Sequence, residues 1–332
     1  MITLKDIAKE AGLSVAQVSR ALNDHDDVSK ETKQKVEDIA NSLGYVKNIS
    51  AHRLVMGVSN RIDFVVQGFT DEDNMLEHNE FYAMINGVNK YANEKRYEVI
   101  IYILQPTEKS YVQFFRERGI RNAILYGFEY DDPKFQELLS ITCNMVCIDI
   151  PINGENKGSV IVNNTHYCTQ AVEAIINSGK QNIALLTGSP HAVVSIEREA
   201  GYRIALTKKK LPIKENYIVD ADFRQSVAYE KTLYLLQQNP EIDAFFCISD
   251  YMAIGCMEAI LSIGKVIPDD IAVMGFDDIP ISRYVTPKLS TVKQYSFNKG
   301  FEAAKLLIQI ENKEQVNPTV ILNCEMQLRD SI

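Results

Sequence analysis

The chain has 332 residues, 46% of them hydrophobic and 24% charged, with a formal net charge of −9, the balance of a globular protein and not of a disordered or fibrous one. No apolar run is long enough to span a bilayer, and the opening Met1-Ile-Thr-Leu-Lys-Asp6 lacks the basic-then-apolar form of a signal peptide, so a cytoplasmic location is expected. The overall acidity also argues against general affinity for nucleic acid along the whole chain.

In chain order, apolar residues recur at Leu4, Ile7, Ala8 and Ala11, the one-face spacing of an amphipathic helix. Gly12 interrupts, and Ser14 with Gln17 three residues later predicts a capping box that starts a second helix burying Val18, Ala21 and Leu22. A third helix is expected from Ser29, with Val36, Ile39, Ala40 and Leu43 on one face and Gly44 as its stop. Two short helices about a glycine turn, braced by a third, form a helix-turn-helix, whose second helix enters the major groove of DNA. Its outward first turn suits that role. Val15 and Ala16 can meet thymine methyls, Gln17 and Ser19 can reach phosphates, and Arg20 can grip a guanine edge or a phosphate. Spacing alone leaves an ordinary helical bundle open. Up to Gly57, eight Lys and Arg stand against eight Asp and Glu, so the later residues carry the whole −9. Such a neutral head predicts weak non-specific affinity and reliance on two heads acting together.

The segment Ile49-Ser-Ala-His-Arg-Leu54-Val-Met-Gly57 is too short to hold as a helix alone in water. Beyond Arg61 the pattern changes to short apolar runs alternating with helix-length stretches. Strands are expected at 62–66, 99–104, 123–126, 145–148, 160–162, 183–186, 244–248 and 271–276. Helices are expected at 81–94, 107–118, 166–177, 194–210, 225–238, 250–262 and 297–310. Alternation of this kind means parallel sheets covered on both faces. The number of strands calls for two doubly wound subdomains with a ligand cleft at the strand ends. Asp149, Ser249, Asp250, Asp277 and Asp278 follow such strands, where carboxylates can accept paired hydrogen bonds from sugar hydroxyls. For Asp250 a helix-capping role is the structural alternative. The six cysteines sit mostly among apolar neighbours and are read as small buried side chains, with neither a metal site nor disulfides expected.

No G-x-G-x-x-G, phosphate loop, G-x-S-x-G elbow or H-E-x-x-H occurs, so neither an enzyme nor a cofactor is expected. Leu4-Lys-Asp-Ile-Ala-Lys-Glu-Ala-Gly12, Val18-Ser-Arg-Ala-Leu-Asn23, Val28-Ser with Thr32 and Val36, and Leu43-Gly-Tyr45 resemble the head of the LacI/GalR family of repressors. The resemblance implies a helix-turn-helix domain at 1–46, a hinge linker at 47–60 and an effector-binding and dimerisation body at 61–332. Within that body it implies subdomains of about 61–157 with 295–320, and 158–290 with the C-terminal strand. The expected DNA-contacting set is Thr3, Ser14, Val15, Ala16, Gln17, Ser19, Arg20, Asn23, Ser29, Tyr45, Asn48 and Leu54. Leu54 stands where the family wedges a leucine into the minor groove. Lys47 stands where the family usually has Pro.

The body resembles the family's effector domain, itself related to periplasmic sugar-binding proteins. Carried over on Asn79-Glu-Phe-Tyr82, Glu197-Arg198, Asp220-Ala-Asp-Phe223, Ser249-Asp250, Gly275-Phe-Asp277 and Ser290-Thr-Val-Lys-Gln294, the effector set is Phe81, Tyr82, Asp149, Arg198, Phe223, Ser249, Asp250, Asp277 and Gln294. The family usually has Asn at Ser249 and Asp at Asn163. The 72–79 stretch and the 272–280 segment look closest to galactose and β-galactoside repressors. The expected function is therefore a homodimeric repressor of a sugar-utilisation operon, binding a pseudo-palindromic operator and released by galactose or a β-galactoside. Another sugar, a corepressor, or a solute-binding protein without DNA function are the alternatives.

Overall fold

The computed structural model describes residues 3–22, 25, 27–43, 60–68, 79–105 and 107–332, and the chain divides into two units, Met1–Asn60 and Arg61–Ile332. Most of the expected hinge, with Tyr45, Asn48 and Leu54, lies outside the described residues, as do Asn23, the Gly44 stop and residues 69–78.

The head is three helices, α1 (Leu4–Ala11), α2 (Val15–Leu22) and α3 (Lys30–Ser42). The Thr3 amide and hydroxyl both donate to Asp6 Oδ2, at 2.8 and 2.7 Å, which fixes the start of α1. Gly12 ends it at φ +68°, a left-handed conformation that a side chain would strain. The Ser14–Gln17 box opens α2, and Ser29 caps α3 by accepting from the Thr32 amide at 3.2 Å. Ile7, Ala8, Ala11, Val18, Ala21, Val36 and Ala40 form the core. Their small side chains let three short helices approach closely, and the Lys35 ammonium ties α3 to the end of α1 through the Ala11 carbonyl at 3.0 Å.

The second unit contains a six-stranded parallel sheet in the order β11-β5-β4-β3-β1-β2, made from β1 (Arg61–Val66), β2 (Glu98–Ile103), β3 (Asn122–Tyr126), β4 (Asn144–Ile148), β5 (Lys157–Val162) and β11 (Thr319–Leu322). Period-two alternation splits its side chains between two cores. Ile62, Phe64 and Val66 pack under α4 (Asn79–Glu94) and α11 (Ser296–Glu311), while Val65 faces α5 (Tyr111–Arg118) and α6 (Pro133–Leu139). α4 and α11 meet at two glycines. A Cβ on Gly300 would overlap the Met84 carbonyl, and one on Gly87 would overlap the Phe297 carbonyl.

A second parallel sheet, β7-β6-β8-β9, consists of β6 (Ile183–Thr187), β7 (Ile218–Asp220), β8 (Ala244–Cys247) and β9 (Ala272–Met274). Its helices are α7 (Asn164–Asn177), α8 (Val193–Lys208), α9 (Gln225–Gln238) and α10 (Asp250–Ser262), and Phe245, Phe246, Phe276 and Tyr202 anchor its core. β10 (Thr291–Lys293) and β12 (Glu325–Gln327) form an antiparallel pair, and the chain passes between the two halves after β5, after β10 and after β11. All six cysteines are free and buried.

Two expectations change. The helix expected from Thr107 begins at Tyr111, because the Ser110 hydroxyl caps it by accepting from the Gln113 amide at 3.2 Å. The subdomain boundary at 157/158 moves to the end of β5, which hydrogen-bonds between β4 and β11 and so belongs wholly to the first half. No described helix is long and apolar enough to cross a membrane.

Candidate functional site: an effector cleft and a DNA-facing head

Between the strand ends of the body's two halves lies a cleft of about 280 Å³. Six of the nine expected effector residues line it: Asp149, Arg198, Phe223, Ser249, Asp277 and Gln294. They come from six separate segments of the chain. Asp149 ends β4 at φ +64°, Phe223 follows β7 at φ +55° beside Asp222 at +52°, and Asp277 follows β9 at φ +126°. Left-handed backbone at non-glycine residues costs roughly 1–3 kcal/mol each and gathers at functional sites. Here it turns each of these residues into the cleft instead of along its strand.

Arg198 on α8 is held on three sides. Its Nε donates to Asn164 Oδ1 at 3.0 Å, one terminal nitrogen donates to the Ile248 carbonyl at 2.5 Å, and the guanidinium lies 3.9 Å from the Phe276 ring centroid. The same nitrogen is 3.8 Å from Asp277 Oδ1. Gln294 Nε2 donates to that oxygen at 2.6 Å, while the Asp277 amide donates to the Val292 carbonyl. Phe223 lays its ring on Gly188, where any Cβ would overlap it.

Phe81, Tyr82 and Asp250 do not line the cleft. Phe81 shares its helix face with Met84, Val88 and Ala92 and packs against Phe64, ring centroids 5.9 Å apart, whereas Tyr82 is 45% exposed. The residue of that motif that reaches the cleft is Glu80, with Met84 one turn on. Asp250 is fully buried, and its carboxylate accepts from the Ile279 amide (3.0 Å) and from the Ser282 and Thr291 hydroxyls (2.6 and 2.5 Å). It braces the loop after β9. The cap of α10 is Ser249, which accepts from the Met252 amide at 3.3 Å. Burial and then the nearby Asp277 charge push the Asp250 carboxyl up to about 7.

Sequence reasoning missed Glu80, Tyr126 and Lys299. Lys299 had a visible signal, standing on the apolar face of α11 with Ala303, Leu306 and Ile310, where a lysine requires a partner. That partner is Asp149, whose two oxygens accept from Nζ at 2.6 and 2.8 Å. Glu80 and Asp277 bring their carboxyls to the same cleft from opposite halves of the body. Burial raises both carboxyls above their ordinary range, Asp277 further because Glu80 faces it. At the rim, His191 Nδ1 lies 2.7 Å from Asp131 on the opposite half, and that carboxylate raises the imidazole pKa.

In the head, Thr3, Ser14, Val15, Ala16, Gln17, Arg20 and Ser29 are exposed and Ser19 is half-buried. Gln17 Oε1 accepts from the Ser14 amide and hydroxyl, both at 3.0 Å. Thr3 and Ser29 are likewise engaged as caps, and the Arg20 guanidinium pairs with Asp27.

A family model described as bacterial regulatory proteins, lacI family, matches residues 3–48, and one described as a periplasmic binding protein-like domain matches 172–332. The "Probable HTH-type transcriptional repressor ExuR" of Bacillus subtilis (strain 168) is 33% identical over 333 residues, spanning 100% of this chain and 98% of its own. The chain belongs to the lacI family. A ribose operon repressor of Haemophilus influenzae is 30% identical over 100% of the chain and 99% of its own length. Among solved structures, the lac repressor dimer bound to operator and the anti-inducer ONPF shares the fold at a TM-score of 0.87 and 24% identity, covering 99% of this chain and 98% of that one. The transcriptional regulator CelR–cellobiose complex matches at 0.74 and 25%, covering all of both chains. Like other lacI-family members of this architecture, the protein is a sugar-responsive transcriptional repressor that binds operator DNA, and not an enzyme.

Proposed function

We propose that the protein binds a pseudo-palindromic operator as a homodimer and that a small sugar, galactose or a β-galactoside first among the candidates, releases it. The observation that carries this reading is the convergence of Asp149, Arg198, Phe223, Ser249, Asp277 and Gln294 on one cleft. Its roughly 280 Å³ lies near the lower end of the range of about 300–1,000 Å³ for small-molecule sites, which favours a ligand of monosaccharide size. Carboxylates and amides there pair with hydroxyls, and the Phe223 ring offers an apolar face. On the DNA side the contacts are Val15 and Ala16 on thymine methyls, Gln17 and Ser19 on phosphates and Arg20 on a guanine edge or a phosphate, with Thr3, Ser14, Asn23, Ser29, Tyr45, Asn48 and Leu54 completing the set.

Ligand in the cleft draws the two halves together, and that change of geometry weakens the grip on DNA. By linkage, operator must weaken sugar binding by the same factor. Fluorescence anisotropy of a labelled fragment from beside the protein's own coding region, at fixed salt with a panel of sugars, tests the reading. Tight binding released by one sugar is expected. Asp277→Ala should keep operator binding and lose release. If that variant still lets go of DNA at the same sugar concentration, the effector assignment is wrong.

A further inference from the structure

Charge in the cleft is lopsided. Among the described residues, Glu80, Glu129, Asp149, Asp222 and Asp277 line it against only two cations, Arg198 and Lys299. Neither cation is available to a ligand anion at full strength. Asp149 takes up Lys299 with both oxygens, and Arg198 is committed to Asn164, the Ile248 carbonyl and the Phe276 ring, with Asp277 beside it. A sugar acid or sugar phosphate would add negative charge to a site already rich in it.

Two amide oxygens on the cleft wall point the same way. Gln294 is 8% exposed, and with its Nε2 given to Asp277 its Oε1 has no donor among the described residues. Gln67 Oε1, also buried on the lining, has none either. Buried acceptors without donors are costly, and a ligand that satisfies them must bring N–H or O–H groups.

We infer that the effector is a galactose-type sugar carrying a free ammonium group, seated between the Glu80 and Asp277 carboxyls. This inference rests on reading the cleft as the effector site. The two carboxyls belong to opposite halves of the body and both line the cleft, where burial of each, and the Glu80 charge beside Asp277, favour the protonated form of the pair. An ammonium offers three donors in place of that proton, and a full positive charge where the surroundings are negative. The proton then leaves to solvent as the ligand enters, with no other bond made or broken. The groups facing the pair are Arg198 from α8, Asp250 from α10, Tyr126 at the end of β3 and Asp149 at the end of β4. Arg198 alone among them favours the ionised carboxyls, and it is held beside Asp277.

The test is titration calorimetry on the full-length protein at pH 7, in two buffers of different ionisation enthalpy. The ligands are galactosamine, N-acetylgalactosamine, galactose and galacturonate. Galactosamine should bind about 10–100-fold tighter than galactose, the worth of a hydrogen bond to a charged group, and release up to about one proton. Its affinity should rise from pH 5 to 7 while that of galactose stays flat. Glu80→Gln should shrink the preference to within about threefold. Galactose or galacturonate binding as tightly, without proton release, overturns the inference, and if such a sugar also frees the operator the effector reading survives alone. If none of the four binds, both fall.

Discussion

The head and the body place their functional surfaces in opposite ways. The groove-facing residues of the head fall within the first two turns of one helix, Val15 to Arg20, over a core of seven small and medium side chains. The cleft draws on strand ends and helices from Gln67 to Lys299, brought in by many separate elements. A surface that is local in sequence can be rebuilt from periodicity and caps alone. One assembled over such a span depends on which strand end turns inward, and left-handed backbone at Asp149, Asp222, Phe223 and Asp277 settles that.

If the contrast is right, damage to the head should be confined to DNA binding. Arg20→Ala, removing one base or phosphate grip per half-site, should cost about 2–6 kcal/mol of operator affinity across two half-sites, with sugar binding unchanged by calorimetry. Equal loss of both functions would break the comparison. Gly300→Ala acts on the body alone, forcing α11 away from α4 at a cost of about 1–3 kcal/mol. Tyr45 is the one Phe, Tyr or Trp before Arg61, against 16 Tyr and 13 Phe in the whole chain, so near-ultraviolet circular dichroism during heating reads chiefly the body's loss. Ser14→Ala removes the hydroxyl that closes the α2 capping box and should cost the head about 1 kcal/mol, visible as faster amide exchange in α2 with the body's melting temperature fixed.

The body's stability also depends on pH. Asp250 is raised from 3.8 to about 7 and Asp63 from 3.8 to about 6 by burial. Each folded carboxyl therefore holds its proton more tightly than in the unfolded chain. Their stabilising contribution is fully present below about pH 4 and is lost as pH climbs through 6 and 7. The melting temperature of the body should drift downward between pH 5 and 8, and Asp63→Asn should flatten part of that drift.

The alternation of apolar runs and amphipathic stretches made the parallel sheets legible, as did the caps at Ser14 and Ser29. The short elements Ile218–Asp220, Thr291–Lys293 and Glu325–Gln327 were not, since three residues carry no period to detect. In the cleft, Asp149 and Asp277 were legible as carboxylates at strand ends. Glu80 was hidden because the aromatic pair beside it drew attention, whereas the helix face set by Met84 and Val88 sends Phe81 into the core. Asp250 misled for a related reason: a carboxylate at a strand end can turn inward, and here three donors behind the sheet hold it there.

Neither half of the body is an uninterrupted piece of chain. The first sheet gains its edge strand only at Thr319–Leu322, and its covering helix only at Ser296–Glu311, after the entire second sheet has been made. The second half is also completed late, since β12 pairs with β10 and Ser331 bonds to Val273 only after β11 has been made, and α4 lacks its cover on the Gly87 side until α11 emerges. A chain lacking residues 318–332 would lose that edge strand, leaving β5 with unpaired backbone groups on an open flank, a surface suited to pairing with other chains.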